Sequence, residues 1–83
     1  MVVRMAEWKT CDIEKAIFKG IRMLEKAGNH PEKVYMSPDT RCQLIIESPQ
    51  ITCALEKGEI VEYIFGLKVE TREDFESNKI YVE

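Results

Sequence analysis

Few residues in this chain can do more than pack. There is one histidine, His30, three cysteines, Cys11, Cys42 and Cys53, and a group of glutamates, Glu59, Glu62 and Glu70, within β-type sequence. His30 and the thiols form a zinc donor set in kind, but their separations lack the closely paired ligands that zinc sites use. His30 lies between a helix-ending glycine and Pro31, which is the setting of an exposed loop histidine rather than a general base. Cys42 falls in the first turns of a helix opened by Pro38, where the positive end of the dipole can make a thiol reactive. It is a weak reactive-thiol candidate, because no motif sets a base beside it and a buried packing role accounts for it. All three cysteines read as reduced, small, buried hydrophobes. The glutamates read as solvent-side residues rather than an acid/base pair. Phosphate-loop, dinucleotide and nucleophile-elbow motifs are missing. The expectation is a chain that is not an enzyme, with no metal and no cofactor.

The elements that would position these residues are clearer than the chemistry. Val2–Met5 can add an edge strand, and Trp8 reads as a packing anchor. Thr10 or Asp12 can cap a helix. Ile13, Ala16, Ile17, Gly20, Ile21, Leu24 and Ala27 then recur at three- and four-residue spacing and predict one amphipathic helix. Lys15, Lys19, Arg22 and Lys26 fall largely outside that stripe. Gly20 costs about 1 kcal/mol of helix propensity relative to Ala, so it marks a close approach to a strand. Phe18 lies away from the stripe centre. Gly28 ends the helix, and Asn29-His30-Pro31 keeps it ended.

Lys33–Met36 predicts an interior strand that passes straight into a helix. Ser37 is its N-cap, Pro38 the first helical residue and Asp39 a charge suited to the dipole. Pro49 stops this helix at Ser48. Ser48-Pro49-Gln50 repeats the same start signal and predicts a second short helix through Ile51, Cys53, Ala54 and Leu55 to Gly58. The remainder is β: Glu59–Phe65, then Leu67–Glu70 across a bulge or tight turn at Phe65-Gly66, then Lys79–Val82 after a polar connection carrying Phe75. The fold class is α+β. It comprises a small mixed sheet of three to five strands with two or three helices packed on it, a β-α-β core around Val34–Phe65 and a C-terminal hairpin or strand. Pairing the first interior strand in parallel with Ile60–Phe65 would make the intervening helices a crossover.

Eighty-three residues suit one domain, residues 1–83, and a chain of this size buries only roughly 60% of its unfolded surface. Apolar residues make up 45% of it, which is the globular range. No apolar run approaches the roughly 20 residues of a membrane span, and the N-terminus lacks a secretory signal's apolar core. The expected location is cytoplasmic, with no membrane partner. The net charge of −3 argues against nucleic acid, whose partners carry a basic face. Charge is uneven: +1 over residues 1–55 and −4 over residues 56–83, the mark of a solvated acidic surface or of oriented self-association. Glu outnumbers Asp twelve to three and Lys outnumbers Arg eight to four, with only four amides. That skew runs in the thermophilic direction.

From Ile13 onward the order of elements resembles the axial domain of tailed-phage and encapsulin-type major capsid proteins. The residues that carry the resemblance are Ala27-Gly28, Val34-Tyr35-Met36-Ser37-Pro38-Asp39-Thr40 with Leu44, Ile64-Phe65-Gly66-Leu67-Lys68-Val69, and Lys79-Ile80-Tyr81-Val82. Lys68 stands where that family commonly has proline. Eighty-three residues hold this module but not the N-terminal arm, extended loop or spine helix of a shell-forming subunit. The resemblance implies a provirus-derived structural protein, cytoplasmic or virion-associated, that self-associates or binds a virion-like protein. Phe18, Tyr63, Phe65 and Phe75 are the candidate contact residues, because so small a core cannot easily hold them all. The alternative is a small regulatory module that binds a protein partner at an exposed sheet edge.

Overall fold

The computed structural model describes residues 1–5 and 9–83; the expected anchor Trp8 lies outside the described residues. Eight elements follow in order: β1 (Val2–Arg4), α1 (Thr10–Lys26), β2 (Lys33–Met36), α2 (Pro38–Glu47), β3 (Ile51–Glu56), β4 (Glu59–Ile64), β5 (Leu67–Thr71) and β6 (Lys79–Val82). The six strands form one mixed sheet in the order β1-β6-β2-β5-β4-β3. The α+β class holds, with one strand more than expected and two helices.

α1 forms where its apolar period runs, and Ile13, Ala16, Ile17 and Gly20 are buried along it. Lys9 occupies the N-cap position and makes no side-chain capping bond to the helix, so neither Thr10 nor Asp12 is the cap. Thr10 is already helical, and its hydroxyl donates to Glu47 Oε2 at 2.7 Å. The other end is a Schellman closure: Gly28 N donates to Glu25 O (3.0 Å) and Asn29 N to Leu24 O (2.9 Å). Gly28 has φ +83°, a left-handed conformation that glycine takes without steric cost. Gly20 makes the close approach that its sequence cost implies. A Cβ built there would sit 2.5 Å from Val82 Cγ2, so α1 rests directly on β6.

The passage from β2 into α2 follows the capping residues. Ser37 Oγ accepts from Thr40 N at 3.2 Å, and Pro38 opens the helix. Thr40 Oγ1 donates to Ser77 O at 2.7 Å. The proton between the two hydroxyls, 2.8 Å apart, therefore comes from Ser37. This buried relay fastens the start of α2 to the segment before β6, and among the described residues no buried side-chain polar atom is left unpaired. At its other end Ser48 N bonds Leu44 O, while Ser48 Oγ donates to Glu14 Oε1 at 2.8 Å and ties α2 to α1.

Two expectations are corrected. Ile51–Glu56 is a strand rather than a second short helix, paired antiparallel with β4 from Ile51↔Ile64 to Glu56↔Glu59. Lys57 and Gly58 both have positive φ, 51° and 81°. That makes a two-residue turn whose twist suits a hairpin, and the ladder it closes outweighs the helix-start signal at Ser48-Pro49. The parallel neighbour of β2 is β5, not β4, with Val34 opposite Val69. The β3–β4 hairpin takes up the residues expected to return beside β2. Phe65 (φ 52°) and Gly66 (φ 79°) form a second tight turn, so this site is a turn and not a bulge.

Both helices cover one face of the sheet. Val34, Met36, Ile64, Leu67, Ile80 and Val82 point into that layer and are at most 2% exposed. The opposite face is open, with Tyr35 and Tyr81 side by side, ring centroids 6.0 Å apart. The helical layer does not reach the end of the sheet: from Thr52 to Ile60 every residue is exposed.

Candidate functional site

The expected contact aromatics do not form one surface. Phe18 of α1, about half exposed, packs on Phe65 of the β4–β5 turn, with ring centroids 4.1 Å apart and planes tilted by 33°. A bulky residue at positive φ is strained, and this ring contact helps hold Phe65 there. Tyr63 and Phe75 lie elsewhere. Tyr63 donates to Glu56 across the hairpin, which raises its pKa above the ordinary tyrosine value. Phe75 lies beneath two cations, Lys79 Nζ at 4.5 Å and Arg72 Cζ at 5.4 Å from its ring centre.

The thiols are free and exposed, so the expectation of buried cysteines is corrected. Cys11 falls off the apolar stripe of α1, Cys42 sits on the outer side of α2, and Cys53 stands on β3 beyond the helical layer. Among the described residues no three His, Cys, Asp or Glu side chains converge as metal ligands. Two of the three glutamates are ion-pair partners, Glu62 with Arg41 of α2 and Glu70 with Lys33 (3.8 Å) and Lys68 (3.6 Å), while Glu59 is exposed at the end of the hairpin.

Three surfaces remain. One is a shallow groove on α1 lined by Lys15, Phe18, Lys19, Arg22, Met23 and Lys26. Cations repeating at this spacing on the outer side of a helix form an ordinary solvated face. A second is the open sheet face, where Val2, Tyr35, Phe75 and Tyr81 share a concavity with Arg72, Lys79 and Glu83. Tyr35 donates to Glu83 Oε1 at 3.0 Å, and that bond, with further help from burial and the negative charge, raises the phenol's pKa.

The third surface is the β3–β4 hairpin, where an unpaired strand edge and exposed apolar side chains coincide. Leu55 and Ile60 oppose each other across the ladder and are 75% and 72% exposed. β3 lies at the end of the strand order, so among the described residues no strand pairs with its outer side. The turn sets which groups lie there. A two-residue turn closes on a hydrogen-bonded pair, and such pairs alternate along an antiparallel ladder. Glu56, Ala54 and Thr52 therefore bond β4, while Ile51, Cys53 and Leu55 direct their N–H and C=O groups outward. Free edges of this length are usually blunted by charge, proline or a bulge. Here Pro49 and Glu56 only bracket a run of Ile, Thr, Cys, Ala and Leu. Sequence reading missed Leu55, Ile60 and Cys53 as a unit; the signal was two β-type runs set symmetrically about Lys57-Gly58.

Among the described residues no helix is long and apolar enough to cross a membrane. The chain matches none of the family models, curated proteins or solved structures with which it was compared.

Proposed function

We propose that this chain is a non-enzymatic interaction protein whose working surface is the free β3 edge with the exposed face of its hairpin. The observation that carries this reading is the pairing of unbonded outward backbone groups with two large apolar side chains about three-quarters exposed. Backbone hydrogen bonds supply affinity at such an edge, and the flanking side chains supply selectivity. In its first form the protein is a self-associating structural protein of the capsid axial kind, cytoplasmic or virion-associated. The one-sided helical layer and the passage from β2 into the Pro38-capped α2 support it. In its second form the edge receives an extended segment of a different protein, and the same unpaired edge favours that form equally.

Light scattering with electron microscopy tests the reading on the wild-type protein and on Leu55→Lys, a change at an exposed position. Assemblies that dissociate in Leu55→Lys support the first form. A monomer whose edge takes up an extended peptide, and whose Leu55→Lys variant does not, supports the second. Assembly or peptide binding that is indifferent to Leu55→Lys and to Cys53→Pro refutes the surface.

A further inference from the structure

We infer that the occupant of the β3 edge is the β3 edge of a second copy, joined antiparallel about a two-fold axis at Cys53, so that two sheets become one of twelve strands. This rests on the working surface proposed above and adds a partner and a register to it. Three features of the strand converge on the same alignment. The first is hydrogen-bond phase. A two-fold antiparallel pair opposes residues whose numbers have a constant sum, and bonded pairs form only between outward-facing residues. With Cys53 opposite itself, Ile51 meets Leu55 of the other copy, and all three outward residues of each strand are bonded. Shifting the centre to Thr52 sets Leu55 against Pro49, which has no N–H. Shifting it to Ala54 sets Ile51 against Lys57, already inside the turn.

The second feature is the side-chain row. On the helical face the β4 pairing sets Ile60 beside Leu55 and Ile51 beside Ile64, with Leu67 beyond. The Cys53-centred alignment joins these into one row: Ile60, Leu55, then Ile51, Ile64 and Leu67 of the second copy. The exposed pair thereby continues a row that ends in the other copy's core, where Ile64 and Leu67 are buried. Matched apolar pairs across strands are what stabilise a sheet. On the opposite face Thr52 meets Ala54, two small residues that leave the approach clear.

The third feature is charge. Glu56 opposes Gln50 rather than its own copy, so no like charges face each other across the new ladder. The self-pairing surface is the same patch on both copies, as a closed two-fold dimer requires.

The test uses the full chain. Sedimentation should give a concentration-dependent dimer for the wild type, and a monomer with unchanged circular dichroism for Leu55→Lys. Cys53→Pro should also be monomeric, because it deletes an outward N–H and no bond to β4. A chain whose only thiol is Cys53 (Cys11→Ser with Cys42→Ser) should be captured as a dimer by a short bis-maleimide. Chains retaining only Cys11 or only Cys42 should not be captured under the same conditions. Three results would overturn the inference: a monomer at every concentration, a dimer insensitive to both edge variants, or capture through Cys11 or Cys42 instead of Cys53. A monomer that still binds an extended peptide at the edge would end the two-fold dimer alone and leave the working surface standing. Indifference of all binding to the edge variants would end both.

Discussion

Replacing Gly20 with alanine probes the close approach of α1 to β6. The new Cβ would lie 2.5 Å from Val82 Cγ2, 3.0 Å from Val82 Cβ and 3.6 Å from Val3 Cγ2. Val82 is fully buried in β6, between β1 and β2, so its side chain has no open space to turn into, and either α1 lifts or the strand shifts. Overpacking of this kind costs about 1–3 kcal/mol. Alanine returns about 1 kcal/mol of helix propensity, and the net loss is on the order of 1 kcal/mol. In a domain this size that lowers the melting temperature by about 4–8 °C. The decisive assay is a double-mutant cycle by urea unfolding with Val82→Ala, which removes Cγ2, the atom met at 2.5 Å, and leaves only the 3.0 Å approach to Cβ. In the Val82→Ala background Gly20→Ala should cost much less stability, a coupling of about 1–2 kcal/mol between touching sites. Additivity within about 0.5 kcal/mol, or a Gly20→Ala variant stabilised by the full propensity gain, would refute the close packing of α1 on β6.

Thr40→Val keeps the shape of the buried side chain but leaves Ser37 Oγ without its acceptor and Ser77 O without its donor. A loss of about 1–3 kcal/mol should appear in the same unfolding assay, whereas Thr40→Ser should retain most of the stability. Arg41→Met removes the partner of Glu62, a largely covered carboxylate, and should cost about 1 kcal/mol after discounting for the exposure of the arginine. Arg41→Met with Glu62→Gln should recover part of that loss. Tyr35 should titrate above the ordinary value of 10.0, because the Glu83 carboxylate accepts from the neutral phenol. A raised folded-state pKa means that this contribution to stability is complete below about pH 10 and fades as pH rises through the folded value. Ultraviolet titration of Glu83→Gln should show one tyrosine shifted back toward lower pH; an unchanged curve would count against the bond.

The parts that could be read from sequence are those whose signals are local and unopposed. The seven-residue stripe of α1, its glycine stop and the Ser37-Pro38 start each specify a conformation by sterics and capping. Gly20 could be read as a contact because its propensity cost demanded a tertiary reason. β3 could not, because Ser48-Pro49-Gln50 repeats a helix-start pattern and only pairing with β4 makes the strand win. The strand's exposure hid it further, since Cys53 and Leu55 carry the composition of a core while sitting outside one. The cysteines differ from expectation for that same reason: composition favours burial for thiols, while positions on the outer sides of α1 and α2, and on the stretch of β3 that the helices do not cover, decide otherwise. Residue type alone singles out the aromatics, and type cannot show that Phe18 and Phe65 satisfy each other while Tyr63 and Phe75 lie on different parts of the surface.

Amide hydrogen exchange along β3, followed as protein concentration rises, reaches the edge most directly. The amides of Thr52, Ala54 and Glu56 should be protected at every concentration, because β4 accepts from them. Those of Ile51, Cys53 and Leu55 should exchange freely in dilute protein and become protected together as copies pair. If those three exchange freely at all concentrations, the edge is not where this protein meets its own kind.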